Sequence, residues 1–325
     1  MGIKVLKPGL MTTVQDAGRK GYQNLGVSPS GAMDLFSYTL ANLAAGNFND
    51  EAALEITLIG PRLLFEKDII FSFFGAETEA KLSGSNIQGG KPIAAKKGDV
   101  LSFGRMKAGC RTYLAFHGGI LVPRQMGSRS TYLKAGFGGL DGRILEKNDV
   151  LPIRQTSCRF SRSWSFSPSL ASYLHQDQIR VMPGRQSEWF SSDAINQFSE
   201  QEFTISPDSD RMGYRLKGPS LAKAREIEMI TEPVSFGTVQ VPADGSPIIL
   251  MAERQTTGGY PKIAQVLSAD LPILAQKKPG DKIRFAPASL AEAQLAYLEQ
   301  VKTIGSLTKT VNEKWQKEVH IVEEN

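Results

Sequence analysis

The stretch that decides most about this chain is residues 12–34, which read TTVQDAGRKGYQNLGVSPSGAMD. An apolar strand start gives way here to residues dense in Gly, Ser and Asp, before a helical pattern begins. Glycine suits a backbone that turns sharply or approaches a ligand closely. Asp and Ser bond to nearby amides, and the guanidinium of Arg19 offers a fork for a carboxylate or phosphate. The pattern predicts either a binding loop or a long connection between strands, and it favours neither.

Strand signals dominate the rest of the chain. Short apolar runs at 69–74, 100–103, 112–116 and 248–251 are bounded by Gly, Pro, Asn or Asp, as strands usually are. Their spacing of about ten residues is typical of closed or nearly closed barrels. We therefore expect a mainly β fold with two barrel-like domains, a few short helices and a C-terminal helical tail.

Three helices are predicted, at 33–43, at about 183–198 and in the tail after Pro287. The third begins with a capping box formed by Ser289 and Glu292. An apolar stripe follows on one face of this helix, made of Ala291, Leu295, Leu298 and Val301. We expect the stripe to pack onto the body of the protein, with contact to a partner as the lesser alternative.

A weak internal repeat favours two similar halves. The run KKGDVLSF at 96–103 recurs as KKPGDKIRF at 277–285, and each reads as a turn that leads into a strand. A Ser-rich stretch at 157–177 is the expected seam between the halves. The predicted domains are an N-terminal domain at 1–160 with the Gly-rich loop, a second barrel at 175–287 and a helical tail at 288–325.

Composition excludes several classes of protein. The net charge of +5 comes from scattered Lys and Arg, which fits solubility and anionic substrates better than nucleic acid binding. No apolar run is long enough to span a membrane, and the N-terminus lacks the apolar core of a signal peptide. Three histidines without metal-ligand spacing argue against a zinc site, so no metal is predicted. Two cysteines are too few for a disulfide framework. These observations favour a cytoplasmic protein that binds neither nucleic acid nor membrane.

One candidate group of binding residues lies at 208–215, which reads DSDRMGYR. Arg211 and Arg215 would share one face of an extended strand, and two guanidinium groups on one face suit an anionic ligand. The equally weighted alternative is that Asp208 and Asp210 pair with these arginines.

A second candidate group lies at 253–262, which reads ERQTTGGYPK. Gln255, Thr256 and Thr257 carry amides and hydroxyls that can bond a lactam or ureido group, while turn formation alone also explains the run. Earlier in the chain, the loop at 127–131 surrounds Arg129 with hydroxyls and suits a small anion, or is an ordinary connection. Gln240, which precedes Val241 and Pro242, is a further polar side chain expected near the mouth of a barrel.

These blocks also carry a family resemblance. The runs TTVQDAGRKGY and GVSPSGAMD, together with GSRST at 127–131, DRMGYRL at 210–216, GTVQVP at 237–242 and QTTGGYP at 255–261, resemble the family of the 5-oxoprolinase C subunit, also called PxpC or KipA. That family is related to the carboxyltransferase part of urea carboxylase. The blocks occur in the family's order and extend to about Phe285. Two positions depart from the family pattern: Arg185 stands where Pro is common, and Glu253 stands where Asp is common.

The resemblance implies a fold of cyclophilin-like β-barrels and a role in an ATP-dependent 5-oxoprolinase. That complex opens 5-oxo-L-proline to L-glutamate, its A subunit and its KipI-like B subunit are the implied partners, and it is active only when assembled. ATP is used by the complex, with no site on this chain identified. The alternatives are a biotin-dependent carboxyltransferase of the urea type, or a non-catalytic antagonist of a KipI-like inhibitor of a histidine kinase.

If the chain acts in a 5-oxoprolinase, the substrate-binding candidates are polar residues of the runs that resemble the family. The arginines would hold a carboxylate or phosphoryl oxygen, and the polar side chains would orient the lactam. The substrate-binding set is Arg19, Ser30, Arg129, Arg211, Arg215, Gln240, Gln255, Thr256, Thr257 and Tyr260. No strong general base stands out, and the catalytic candidates are Asp16, Asp34 and Asp210.

Overall fold

A computed structural model describes residues 2–48, 50–155, 157–160, 163–224 and 229–322. The chain divides into two compact units. The first comprises Met1–Arg19, Asp34–Leu174 and Thr303–Asn325, and the second comprises Lys20–Met33 and His175–Lys302. The predicted fold class, mainly β with few helices and a helical C-terminal segment, is confirmed. The division into domains at 1–160 and 175–287 with a helical tail at 288–325 stays a prediction.

The first unit is built on a nine-stranded sheet. Its strands are β1 (Ile3–Lys7), β2 (Met11–Gln15), β3 (Ala53–Thr57), β4 (Arg62–Phe65), β5 (Ile69–Leu82), β6 (Ser85–Ile87), β7 (Ile93–Ala95), β8 (Val100–Phe116) and β9 (Val150–Leu151). The order is β2-β3-β8-β4-β1-β9, and β5 pairs with β6, β7 and β8. A short pair, β10 (Ser157–Phe160) with β20 (Val319–Val322), completes the unit.

The core of this unit lies on the sheet. Phe65, Phe71 and Phe116 are completely buried, and the Phe65 ring lies 5.5 Å from the Phe71 ring and 6.5 Å from the Phe116 ring, centroid to centroid. Burial of each such side chain stabilises the fold by about 1.5–3 kcal/mol. Helix α1 (Leu35–Ala44) begins after Asp34, whose carboxylate accepts a 2.9 Å bond from the amide of Ser37. The helix predicted at 33–43 is thus confirmed to within two residues.

The second unit is a closed barrel of seven strands. They are β11 (Gln178–Pro183), β12 (Glu202–Ile205), β13 (Gly213–Lys217), β15 (Thr238–Gln240), β16 (Ile248–Leu250), β18 (Lys262–Val266) and β19 (Lys282–Pro287), with β14 (Glu232–Pro233) and β17 (Thr257–Gly258) forming a separate pair. The barrel order is β11-β18-β15-β16-β13-β12-β19, and the parallel pairing of β11 with β19 closes it. Closure leaves no free sheet edge among these seven described strands.

Further helices in the described residues are α2 (Ser192–Glu200), α3 (Leu271–Ala275) and α4 (Leu290–Glu318). The helix predicted at 183–198 is wrong at its start, because residue 183 still belongs to β11 and α2 begins only after its cap, Ser191. The capping box of α4 is confirmed: the amide of Ser289 donates to Oε2 of Glu292 over 2.7 Å, and the amide of Glu292 donates to Oγ of Ser289 over 3.2 Å.

The apolar stripe of α4 does not pack as expected. Leu295, Leu298 and Val301 are 58%, 51% and 46% exposed, so the expectation that they cover the body was wrong. In this half of the helix it is Ala296 that is buried, about 100° around the helix from Leu295. The stripe therefore faces outward. Within the described residues, none of the helices has both the length and the apolar character that crossing a bilayer requires.

Candidate functional site

Five of the predicted site residues line one cavity of the second unit. The cavity has a volume of about 230 Å³, which is small compared with the pockets of drug-sized ligands. The predicted residues around it are Asp210, Arg215, Gln240, Gln255 and Tyr260; the other lining residues are Asp208, Met212, Gly213, Ile248 and Leu250. Segments far apart in sequence thus meet at one polar cavity.

Strand register explains why Arg215 and Gln240 come together. Ile248 on β16 lies directly opposite Arg215 on β13 and opposite Gln240 on β15. Residues opposite each other on neighbouring strands point to the same face, with Cβ atoms about 4.5–5.5 Å apart. The adjacent row, which includes Tyr214 and Ile249, is buried in the core at 3% and 0% exposure. The cavity therefore lies on the opposite face of these three strands, outside the barrel core.

Arg215 and Asp210, two charged residues of the cavity, form no ion pair with each other. Arg215 is exposed, and no side-chain bond or ion pair joins its guanidinium to the residues that the structure describes. Oδ1 of Asp210 accepts from the amides of Met212 at 2.7 Å and Gly213 at 3.2 Å. These bonds close a turn and leave Oδ2 without a bond from the described residues. Asp208 also lines the cavity, and its Oδ2 accepts from the hydroxyl of Ser206 over 3.3 Å. The cavity therefore offers one guanidinium and carboxylate oxygens of two aspartates to a ligand.

Amide side chains provide the neutral part of the cavity. Gln240 is 1% exposed and its Nε2 donates to the carbonyl of Tyr260 over 3.3 Å, while Gln255 is exposed. An amide group carries both a donor and an acceptor, as the edge of a lactam does. Thr256 and Thr257 follow on the chain without lining the cavity: Thr256 accepts a backbone bond from Val234, and Thr257 belongs to β17.

Arg211 does not line the cavity, because its side chain bonds to other groups of the second unit. Its Nε lies 2.6 Å from Oε1 of Glu253, and its Nη2 donates to the carbonyl of Gly31 over 2.6 Å. Ser30 lies beside Gly31, is 7% exposed and has a positive φ of 51°. Arg211 therefore ties the Gly-rich segment to the loop after β16. Because Arg211 lies before β13 begins, it does not share a strand face with Arg215.

A second cluster of predicted residues lies in the first unit, around Asp16. This carboxylate is 2% exposed and accepts bonds from the hydroxyls of Ser128 at 2.7 Å and Ser130 at 2.5 Å, and from the amides of Gly18 at 2.9 Å and Arg129 at 2.5 Å. Four donors thus bind this one carboxylate. The geometry is that of an anchor that joins the loop after β2 to the loop at 127–131.

Arg19 and Arg129 complete this cluster by bonding backbone carbonyls. Arg19 is completely buried; its Nε donates to Gln125 over 3.1 Å and its Nη2 to Ser130 over 3.0 Å. Burial lowers the pKa of Arg19, and the charge of Asp16 partly opposes that shift. The Nε of Arg129 donates to Val122 over 2.8 Å. Roles of these two arginines in substrate binding stay a prediction.

The third catalytic candidate, Asp34, caps α1. Besides Ser37, it accepts a 2.7 Å bond from the hydroxyl of Tyr173, and its own amide donates to the hydroxyl of Tyr113 over 2.8 Å. Asp34 is completely buried. Asp210 is therefore the candidate base that lines a cavity, whereas Asp16 and Asp34 lie in bonded networks of the first unit.

Five residues that line the cavity were not among the predicted site residues: Asp208, Met212, Gly213, Ile248 and Leu250. Ile248 and Leu250 lie two apart on β16 and so share its face; because residues 248–251 are all apolar, no alternation in the sequence marks that face. Arg254, next to Gln255, was not selected either, although its type and position were visible in the sequence.

A larger cleft of about 620 Å³ lies elsewhere on the second unit, against α2. Its floor is apolar, with Val181, Phe190, Phe198 and Ile263 among the lining residues. Because none of the predicted site residues lines this cleft, we place the candidate site in the smaller cavity. Within the described ranges, no group of three or more His, Cys, Asp or Glu is arranged to hold a metal ion.

Comparisons with known proteins agree with this architecture. The sequence profile of the carboxyltransferase domain, subdomain A and B, matches residues 25–287. The chain is 40% identical to the C subunit of 5-oxoprolinase from Escherichia coli, over 92% of this chain and 95% of that protein. It is 36% identical to the C subunit of 5-oxoprolinase from Haemophilus influenzae, over 93% of this chain and 98% of that protein.

Among solved structures, the urea carboxylase of Kluyveromyces lactis is similar at a TM-score of 0.84 and 33% identity, over 94% of this chain but only 29% of that one. The likeness to that larger protein is thus confined to one part of it. The 5-oxoprolinase proteins of Escherichia coli and Haemophilus influenzae, by contrast, match along nearly their whole length. The chain therefore belongs to the family of the 5-oxoprolinase C subunit, within the proteins that share the carboxyltransferase domain.

Proposed function

We propose that this chain is the C subunit of an ATP-dependent 5-oxoprolinase complex, which opens 5-oxo-L-proline to L-glutamate together with an A and a B subunit. The observation that carries the proposal is the meeting of Arg215, Gln240 and Gln255 at one small polar cavity. 5-Oxo-L-proline has one carboxylate and one lactam edge. An unpaired guanidinium and two amides supply the complementary groups.

The proposed roles follow from the contacts of each residue. Arg215 binds the substrate carboxylate, and the two glutamines orient the lactam carbonyl and N–H. Asp210 is the candidate to accept a proton, because only its Oδ1 takes part in the bonds of the turn. Because resonance makes a lactam a poor electrophile, phosphoryl transfer from ATP to the carbonyl oxygen precedes attack by water. Groups for ATP binding are assigned to the assembled complex, which also makes this chain part of a hetero-oligomer.

Reconstitution tests the proposal. We expect the purified chain alone to form no glutamate from 5-oxo-L-proline and ATP, and the mixture with its A and B partners to do so. Arg215→Gln and Gln240→Ala should each lower kcat/KM about 100-fold, as expected when a bound group loses its partner. Arg284→Gln is the matched control, because Arg284 is an exposed barrel arginine away from the cavity. Turnover by the chain alone, or full activity of both cavity variants, would refute the proposal.

Carboxyl transfer is the second candidate function, favoured by the similarity to urea carboxylase of Kluyveromyces lactis. Under this alternative, the cavity amides would bind the ureido group of biotin carried by another protein. An assay for 5-oxoproline cleavage in the presence of excess avidin separates the two. Avidin should leave 5-oxoprolinase activity unchanged and should abolish a reaction that needs free biotin groups.

A regulatory role, in which the chain only binds a KipI-like partner, is tested with the same variants. Binding to the KipI-like partner should survive Arg215→Gln, whereas glutamate formation should not. Arg211 is unsuitable for this comparison, because its substitution would break the buried pair with Glu253.

A further inference from the structure

Arg254 lies on the loop between β16 and β17 and has no acidic partner among the residues that the structure describes. Its Nε donates to the carbonyl of Val234 over 3.5 Å and its Nη1 to the carbonyl of Met251 over 3.4 Å. Both distances are at the long limit of a hydrogen bond. The guanidinium carbon lies 5.9 Å from the centre of the Phe236 ring, which is the outer range of a cation–π contact.

This guanidinium is only partly exposed and retains unused donors. An arginine has five N–H groups; the bonds to Val234 and Met251 use two, which leaves three. Burial lowers the pKa of Arg254 to about 10, and no carboxylate among the described residues opposes that shift. A cation that loses water without gaining a counter-charge is costly. Such a group is expected where a ligand supplies the missing charge.

The other described arginines of the second unit differ from Arg254. Arg215 is exposed, and the remaining four face carboxylates: Arg180 with Asp270 at 2.6 Å, Arg211 with Glu253 at 2.6 Å, Arg284 with Glu202 at 3.6 Å and Arg185 with Glu232 at 3.8 Å. Arg254 thus combines partial burial with an uncompensated charge, a combination that none of the others shows.

The sequence neighbours of Arg254 explain both the charge and its position. Glu253, the adjacent carboxylate, is bonded to Arg211, so these three residues together carry a net charge of +1, from two arginines and one glutamate. Gln255, the next residue, lines the polar cavity, and consecutive Cα atoms are about 3.8 Å apart. An anion at Arg254 would therefore be held by the same loop that contributes an amide to the cavity.

We propose that Arg254 is an anion-binding residue of the second unit, which takes an oxyanion group of a small-molecule ligand, phosphoryl or carboxylate. It is separate from Arg215, the arginine that lines the cavity. The inference does not depend on the 5-oxoprolinase reaction, because it concerns binding of anions to the full chain without turnover.

Anion binding to the full chain tests the inference directly. We would titrate wild type, Arg254→Gln, Arg254→Lys and the control Arg284→Gln with inorganic phosphate and, separately, with acetate, at constant ionic strength maintained with sodium chloride. The thermal midpoint rises with any ligand that binds the folded state, and calorimetry gives the affinity. Phosphate and acetate distinguish the two sources of the oxyanion.

The expected result is saturable binding of at least one oxyanion by wild type, weakened tenfold or more in Arg254→Gln and retained in Arg284→Gln, which removes an exposed arginine of the same unit outside the cavity. Arg254→Lys keeps the charge but loses the planar fork, so we expect a smaller loss of binding in this variant than in Arg254→Gln. Binding that is equal in wild type and both Arg254 variants would overturn the proposal. So would the absence of any response in wild type, or an equal loss in Arg284→Gln.

The ligand-free protein gives an independent readout. The folded state disfavours the charged form of Arg254, so this charge lowers the stability of the ligand-free protein. Residues in binding sites commonly have this effect, and removing the charge should restore the lost stability. The thermal midpoint of Arg254→Gln without ligand should equal or exceed that of wild type. A lower midpoint by several degrees would indicate that the guanidinium is a structural group, and would overturn the binding role.

Discussion

The Nε of Arg211 and the Oε1 of Glu253 lie 2.6 Å apart, and both side chains are only 3% exposed. Removing one partner leaves an uncompensated buried charge, which typically costs about 3–5 kcal/mol. We therefore expect Glu253→Gln and Arg211→Met each to lower the free energy of unfolding by about 3 kcal/mol or more. Urea denaturation followed by circular dichroism measures this.

The double variant is the control for this pair. Arg211→Met combined with Glu253→Gln removes both charges, so its loss should be clearly smaller than the sum of the two single losses. A loss in the double variant equal to the sum of the two single losses would show that Arg211 and Glu253 do not stabilise each other. Glu253→Asp, which restores the residue common in the family, should be the mildest change because the charge is kept.

Acid should weaken the first unit through Asp149. Its carboxylate accepts bonds from Nη1 of Arg143 at 2.8 Å and Nη2 at 2.9 Å, and from the amide of Glu146 at 2.7 Å. These bonds hold the pKa of Asp149 below its ordinary value of 3.8, with the side-chain bond from Arg143 as the main cause. A carboxylate with a lowered folded-state pKa stabilises the fold fully above its unfolded value, and the contribution is lost as pH falls through the folded value.

The comparison with Asp149→Asn isolates this contribution. Wild type should be more stable than the variant by about 1–2 kcal/mol at pH 7, and the difference should shrink only below about pH 4. Unfolding free energies measured from pH 7 down to pH 2 test the sign. A difference that grows as the solution becomes more acidic would contradict the assignment.

The sequence predicted the barrel of the second unit because regularly spaced apolar runs with turn residues between them are a local signal. Helix starts were predicted well at Asp34 and Ser289 and, although α2 also begins at a side-chain cap, Ser191, poorly near residue 183. There, residues 178–183 form a barrel strand whose pairing with distant segments overrides the local pattern. The exposed stripe of α4 shows a further limit: periodicity reveals which residues share a face, but not whether anything covers that face.

The candidate site was predictable as a set of residue types and not as a geometry. Arg211 and Arg215 looked equivalent in the sequence. In the structure Arg211 forms a buried ion pair with Glu253, whereas Arg215 lines the cavity. The difference depends on where β13 begins and on a carboxylate 42 positions away. Likewise, Gln240 and Arg215 meet only because both lie opposite Ile248, and strand register of this kind is set by the whole barrel.

The exposed stripe of α4 should contribute little to folding. Leu298 is 51% exposed, so Leu298→Ser should change the free energy of unfolding by less than about 0.5 kcal/mol. Trp315, on the same helix, is 7% exposed and its ring stacks on His117 with centroids 5.1 Å apart. Trp315→Ala should cost about 3–5 kcal/mol. Similar losses for both variants in chemical denaturation would contradict the packing described for this helix.

Two neighbouring glycines test the shape of the cavity without changing its charges. A Cβ at Gly258 would meet Nε2 of Gln240 at 2.4 Å, closer than any normal contact, so the amide must move. A Cβ at Gly259 would meet Oγ1 of Thr231 at 3.6 Å, an ordinary contact. Because the displaced atom ends a flexible side chain, Gly258→Ala should fold, with the thermal midpoint lowered by only a few degrees. In the reconstituted complex it should reduce kcat/KM for 5-oxo-L-proline about tenfold or more, while Gly259→Ala stays within about twofold of wild type. Equal activity of the two variants would mean that the Gln240 amide does not orient the substrate.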